Sequence, residues 1–295
     1  MKKPVFQGTC TALVTPFGKD SVDIAVLHAL LEHQLAHGVE AVVLCGTTGE
    51  AATMTEEEQL AVIREGAAYV GGRMTVIAGT GSNNTAHAIA LSQKAAEAGA
   101  DAVLVVSPYY NKATPVGLIR HYTAIADCCP VPVLVYNVPS RTGQDIPIEV
   151  YEALSRHPNI NGVKEASGNI AKVSRTIGRL GSDFHVWSGN DDQNVPILSL
   201  GGKGVISVLS NVCPGEVHDM VSAAHRGDFK AAASAQNRLM PLIDALFCEV
   251  NPIPVKAAMK LLGCDAGSPR LPLTEMEQEH LSRLRAALRA CLSLS

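Results

Sequence analysis

The stretch Val131-Pro-Val-Leu-Val-Tyr-Asn-Val-Pro-Ser-Arg-Thr-Gly143 opens on an apolar run that ends in Tyr136, and Ile160-Asn-Gly-Val-Lys164 repeats the form with a lysine at its end. Uninterrupted apolar runs, rather than alternating ones, are what parallel strands covered on both faces require. Working outward, comparable runs predict strands over 9–14, 41–45, 75–79, 102–107, 133–137, 162–165, 185–188 and 204–208. Amphipathic stretches such as 55–70 and 84–98 lie between them. Thr55-Glu-Glu-Glu58 has the form of a capping box opening the first of these helices. His37-Gly38 and Ala98-Gly99 have the form of helix ends feeding the next strand.

Eight strand–helix units in series predict an α/β protein of the (β/α)8 TIM-barrel class. An open doubly wound sheet is the rival, but no Gly-x-Gly-x-x-Gly fingerprint follows the first strand. Beyond the eighth strand the pattern is helical over roughly 214–226, 228–247, 252–262 and 274–293, more than one closing helix needs. The expected organisation is therefore a barrel over 1–226 with a C-terminal helical extension over 227–295 packed on it.

Composition narrows the function classes. A chain of 295 residues, 47% hydrophobic, can bury a large core, and its net charge of −4 offers no basic footprint for nucleic acid or an anionic membrane. The first residues lack the apolar stretch of a signal peptide, and no segment has the length and apolarity to span a bilayer, which suggests a cytoplasmic protein. The eight cysteines and ten histidines show neither a disulfide framework nor a metal-ligand spacing, so no metal is expected.

Active sites of such barrels lie at the C-terminal ends of the strands. Those positions hold Gly46-Thr47-Thr48-Gly49-Glu50, Ser107-Pro-Tyr109-Tyr110-Asn111, Tyr136 with Arg141 in its loop, Lys164 and Ile206. An amine and a phenol at inward-facing strand ends suit imine chemistry on a carbonyl substrate, and burial favours the neutral, nucleophilic amine. A lysine at a strand end can equally reach solvent, but the other lysines fall in termini, in loops, on helix faces or at the wrong end of a strand. Lys256, opening a helix after the barrel, is set aside on the same ground. Thr47 and Thr48, flanked by glycines, can hold a carboxylate through hydroxyls and backbone amides, or simply form a turn that caps a helix. Tyr109-Tyr110 can serve the site or a subunit interface. Arg141 offers a fork for a second carboxylate, or is a solvated loop charge.

Taken together, these motifs resemble the pyruvate-dependent class I aldolases of the dihydrodipicolinate synthase and N-acetylneuraminate lyase group, nearly end to end. The resemblance rests on Gly8-Thr-Cys-Thr-Ala-Leu-Val-Thr-Pro-Phe17, Gly46-Thr-Thr-Gly-Glu50, Gly79-Thr-Gly-Ser-Asn83, Ser107-Pro-Tyr-Tyr-Asn111, Tyr136-Asn-Val-Pro-Ser-Arg-Thr-Gly143 and Val163-Lys-Glu-Ala-Ser167. It implies Lys164 as the imine-forming residue, Tyr136 as its proton shuttle, and Thr47 linking Tyr136 to a Tyr110 supplied by a neighbouring subunit. It further implies pyruvate held by Thr48 and the Ile206 backbone, and an aldehyde carboxylate held by Arg141. Arg141 draws the chain towards the synthase branch, which condenses pyruvate with aspartate 4-semialdehyde and uses no external cofactor. A sugar-acid aldolase, a sialic-acid lyase and a keto-acid sensor without turnover are the alternatives. The family also implies a homotetramer built as a dimer of dimers. Members inhibited by lysine carry histidines and a glutamate where this chain has Glu56, Gln59 and His87, although Asn83 and Tyr109 are kept. Weak or absent inhibition by lysine is the expectation.

Overall fold

The computed structural model describes residues 1–19 and 21–292. Eight parallel strands close into a barrel in chain order: β1 (Gly8–Ala12), β2 (Ala41–Leu44), β3 (Thr75–Gly79), β4 (Ala102–Val106), β5 (Val133–Asn137), β6 (Ile160–Glu165), β7 (His185–Ser188) and β8 (Gly204–Ser207). The helices following the strands are α1 (Ile24–Ala36), α2 (Glu56–Val70), α3 (Thr85–Glu97), α4 (Pro115–Cys128), α5 (Pro139–Thr142), α6 (Ile148–Ser155), α7 (Ile170–Leu180), α8 (Asn194–Ser199) and α9 (Pro214–His225). Then α10 (Phe229–Leu246), α11 (Ile253–Leu261) and α12 (Gln278–Leu292) follow, with α10 packed on α9 and α12, and α11 on α10 and α12. No helix among the described residues is long and apolar enough to cross a membrane.

The predicted local signals explain most boundaries. Thr55 caps α2: its hydroxyl accepts from Glu58 N at 3.2 Å while the Glu58 carboxylate accepts from Thr55 N at 3.0 Å. Gly38 and Gly99, with φ of +72° and +102°, follow α1 and α3 in a conformation that L side chains resist. Three boundaries differ from expectation by two residues or more. β1 ends at Ala12 rather than 14, because the amide of Val14 donates to the Asn211 side chain at 3.1 Å. α12 begins at Gln278 rather than 274, where Glu249 accepts from Glu277 N at 3.0 Å and His280 Nδ1 at 2.7 Å. The expected end of that helix at 293 lies outside the described residues.

The third difference is a bulge. β6 starts at Ile160, but Val133 pairs with Ile160 and Leu134 with Gly162, leaving Asn161 as an extra residue. Ile160 and Val163 both belong to the apolar layer between sheet and helices, three positions apart. Alternation alone would put them on opposite faces. The bulge resets the phase, so Lys164 turns inward between Tyr136 on β5 and Trp187 on β7.

Two apolar layers result. One lies between sheet and helices; the other, including Phe6, Cys10, Leu134, Tyr136, Trp187 and Ile206, fills the barrel. An N-terminal strap closes the opposite end: Lys2 Nζ donates to the carbonyls of Ser155, His157 and Ile160 at 2.6–2.7 Å. Asn161 holds the strap at Lys3 O and Val5 N, and Trp187 donates to Phe6 O at 3.2 Å.

On α4, His121 is buried with Nδ1 2.9 Å from the Thr85 hydroxyl, and burial pushes its imidazole down to about 4. An unfolded histidine titrates near 6.5, so between those values the unfolded chain binds the extra proton. The stability from neutral His121 is full above about pH 6.5 and lost as pH falls towards 4. His121→Phe should therefore flatten the acid limb of a melting-temperature profile between pH 6.5 and 4; an unchanged slope there would reject this assignment.

Candidate active site

A cavity of about 540 Å³ opens at the C-terminal mouth of the barrel. Thr47, Gly79, Gly81, Tyr109, Tyr136, Arg141 and Asn251 are among its lining residues. Gly79 and Gly81 are required by close approach: a Cβ would sit 2.2 Å from Cys45 O and 2.3 Å from Val106 N respectively.

Lys164 is 6% exposed, and its Nζ lies 4.4 Å from the centroid of the Tyr136 ring. The two residues are direct partners across β5 and β6. Tyr136 itself lines the cavity, so the amine rests against a wall of the site rather than in open solvent. Among the described residues no carboxylate oxygen comes within 4.0 Å of this ammonium, unlike those of Lys172 and Lys256.

The outward-facing residues next to this pair form a polar cluster. Glu165 accepts from Asn137 Nδ2 at 2.8 Å, Tyr151 OH at 2.9 Å and Ser167 N at 3.0 Å. Asn137 also donates to Asp145 at 2.7 Å and accepts from Ile146 N at 3.1 Å. Lys172, on a helix face as expected but buried, pairs with Asp145 and lies 3.7 Å from Glu165. The cluster fastens β5 to β6 one residue beyond Tyr136 and Lys164.

The structure brings Thr47, Tyr136 and Arg141 to one cavity. Thr48 is buried beside it, and its hydroxyl accepts from Asn251 Nδ2 at 2.9 Å. Arg141 sits in the one-turn helix α5 rather than a loop, and donates from Nη2 to Asn251 O at 3.1 Å. Ile206 lies inside the barrel on β8. Tyr110 is not brought in: at 93% exposure it cannot touch the buried Tyr136 of its own chain. It is held outward in a left-handed conformation, φ +69°, costly for a residue with a Cβ. Asn83 donates to Tyr109 O at 3.2 Å and Asn111 to Asn83 O at 3.0 Å, which fixes that turn.

Sequence reasoning missed Asn251, which touches both Thr48 and Arg141. It also gave no role to Lys256, which opens a helix after the barrel as expected and is buried against Glu50.

A closed parallel barrel with a buried lysine against a tyrosine at its C-terminal mouth suits imine chemistry, and the comparisons with known proteins make the chain a lyase of the class I aldolase type. The chain belongs to the dihydrodipicolinate synthetase family, whose model matches residues 5–291. It is 52% identical over 286 residues to the 4-hydroxy-tetrahydrodipicolinate synthase of Caldicellulosiruptor saccharolyticus, covering 97% of each chain. It is 50% identical to that of Thermoanaerobacter sp. (strain X514), covering 97% of this chain and 96% of that one. The crystal structure of dihydrodipicolinate synthase from Aquifex aeolicus superposes with a TM-score of 0.94 at 44% identity, covering 96% of this chain and 97% of that one.

Tyr151→Phe keeps the ring but removes a donor to buried Glu165. It should lower unfolding free energy by about 1–3 kcal/mol. Denaturant titration checks this, and a change within error would remove the cluster from the forces holding β5 to β6.

Proposed function

We propose that the chain condenses pyruvate with L-aspartate 4-semialdehyde to give 4-hydroxy-tetrahydrodipicolinate, the first committed step of the diaminopimelate and lysine pathway. The observation that carries this is the buried, carboxylate-free amine of Lys164 against Tyr136, whose side chain lines the cavity together with Arg141. In this reading Lys164 Nζ attacks the C2 ketone of pyruvate, and loss of water leaves a cationic imine. Loss of a methyl proton moves its electrons onto nitrogen and gives the enamine. The enamine carbon attacks the semialdehyde aldehyde, whose oxygen takes a proton. The substrate's own amine then displaces Lys164 by transimination, closing the ring and freeing the lysine.

Tyr136 passes protons through its phenol hydroxyl in the imine and aldol steps. Thr47 joins it to Tyr110 of a neighbouring subunit, which agrees with the outward, strained placement of Tyr110. Thr48 and the Ile206 backbone hold pyruvate, and Arg141 binds the semialdehyde carboxylate. The barrel of 1–226 supplies the chemistry, and the extension of 227–295 braces its mouth. The working form is a cytoplasmic homotetramer, a dimer of dimers, so activity should fall on dilution to monomer.

Trapping with borohydride in the presence of pyruvate, with and without the semialdehyde, tests the reading. A pyruvate adduct on Lys164 with semialdehyde-dependent pyruvate consumption is expected; no adduct would overturn it. Lys164→Ala should keep the fold and lose nearly all turnover. Tyr136→Phe should lower kcat more than Tyr110→Phe, and the reverse order would reject the relay.

The solved dihydrodipicolinate synthase from Cyanidioschyzon merolae has lysine bound; it is 40% identical, with a TM-score of 0.95, covering 99% of this chain and all of that one. Here Glu56 is already paired with Lys94 and lies 3.8 Å from His87, while Gln59 donates to Ala51 O at 3.0 Å. Glu56 is thus engaged by Lys94 and His87, and Gln59 by the backbone, which leaves little to hold an added ammonium. Lysine should inhibit weakly or not at all, and micromolar inhibition in a titration would contradict this.

A further inference from the structure

The loop that carries Thr47 and Thr48 is bracketed by two residues with side chains in the left-handed region, Cys45 at φ +54° and Glu50 at φ +55°. Such conformations persist only where the surroundings over-determine them. At the Glu50 end those surroundings come from far along the chain. Glu50 Oε1 lies 2.6 Å from Lys256 Nζ on α11, with both side chains almost wholly buried. At that distance the two opposite charges form a buried ion pair. Glu50 Oε2 accepts from the backbone amide of Arg270 at 2.9 Å. Phe17 underlies both cations, with Lys256 Nζ 4.4 Å and Arg270 Cζ 4.0 Å from its ring centroid. Five residues before Lys256, Asn251 grips the Thr48 hydroxyl.

A buried ion pair is a weak stabiliser, because desolvation offsets most of the attraction. Its benefit here is geometric. We propose that Glu50 and Lys256 are positioning residues: their buried pair locks the strained end of the Gly46–Glu50 loop to the C-terminal extension and so holds Thr47 and Thr48 where the keto acid binds. Neither group touches the substrate in this scheme. The inference rests on the reading of this site as a keto-acid site.

Two double variants test it. Glu50→Gln with Lys256→Met removes the charge pair and keeps the strained backbone. Glu50→Gly with Lys256→Met removes the pair and relieves the strain as well. For each, melting temperature is measured, along with the pyruvate concentration that half-saturates borohydride trapping on Lys164, a readout that needs no second substrate. Wild-type protein that traps no pyruvate would sink the keto-acid reading itself. Given wild-type trapping, half-saturation should rise by roughly tenfold or more in the folded variants, the scale on which small misplacements of binding groups act. Lys256→Arg, which keeps the charge, should stay nearer wild type than either double variant. A purely structural pair would lower the melting temperature and leave half-saturation where it was. That result in whichever double variant folds would overturn the proposal.

Discussion

A closed parallel sheet allows each strand residue two destinations, the barrel interior or the layer under the helices, and everything at the mouth depends on that choice. Tyr136, Lys164 and Trp187 face inward in adjacent register positions on β5, β6 and β7. Asn137 and Glu165, one residue on, face outward and bond to each other. Chemistry and bracing thus alternate along the same two strands, and neither group can be moved by one position without exchanging them. The bulge at Asn161 is what brings β6 into this phase.

Three buried lysines show how surroundings divide labour among identical side chains. Lys172 is held between Asp145 and Glu165. Lys256 is matched by Glu50, while burial draws its ammonium below the usual lysine range. Lys164 has an aromatic face in place of a carboxylate. An ammonium kept by a counter-ion is a poor nucleophile, because losing its proton also loses the pair. That contrast in surroundings is what supports the proposed role of Lys164.

The fold was legible because parallel strands are written as local apolar runs: β3, β5 and β7 have the expected bounds, and the others differ by one or two residues at one or both ends. The strand-end rule then located Thr47, Tyr136, Arg141 and Lys164 at the same mouth. What the sequence concealed were contacts between distant segments. Asn251 meets Thr48 across 203 positions, and Lys256 meets Glu50 from another helix, pairings that no local pattern records. The bulge was hidden for a different reason. The extra residue, polar Asn161 followed by Gly162, interrupts the apolar run, so Ile160 fell outside the expected strand.

The strap under the barrel gives the chain a temporal order. Lys2 closes on the carbonyls of Ser155, His157 and Ile160, and Phe6 on Trp187, at separations of 153 residues or more. Residues 2–6 are synthesised long before those partners, so the bottom of the barrel can be sealed only when more than half of the chain has emerged. Contacts of such span come late and slowly, since the intervening segment must be closed before they form. Until then the inner face of the early strands has an open floor, and the interval before sealing is when the nascent protein is most exposed to wrong partners.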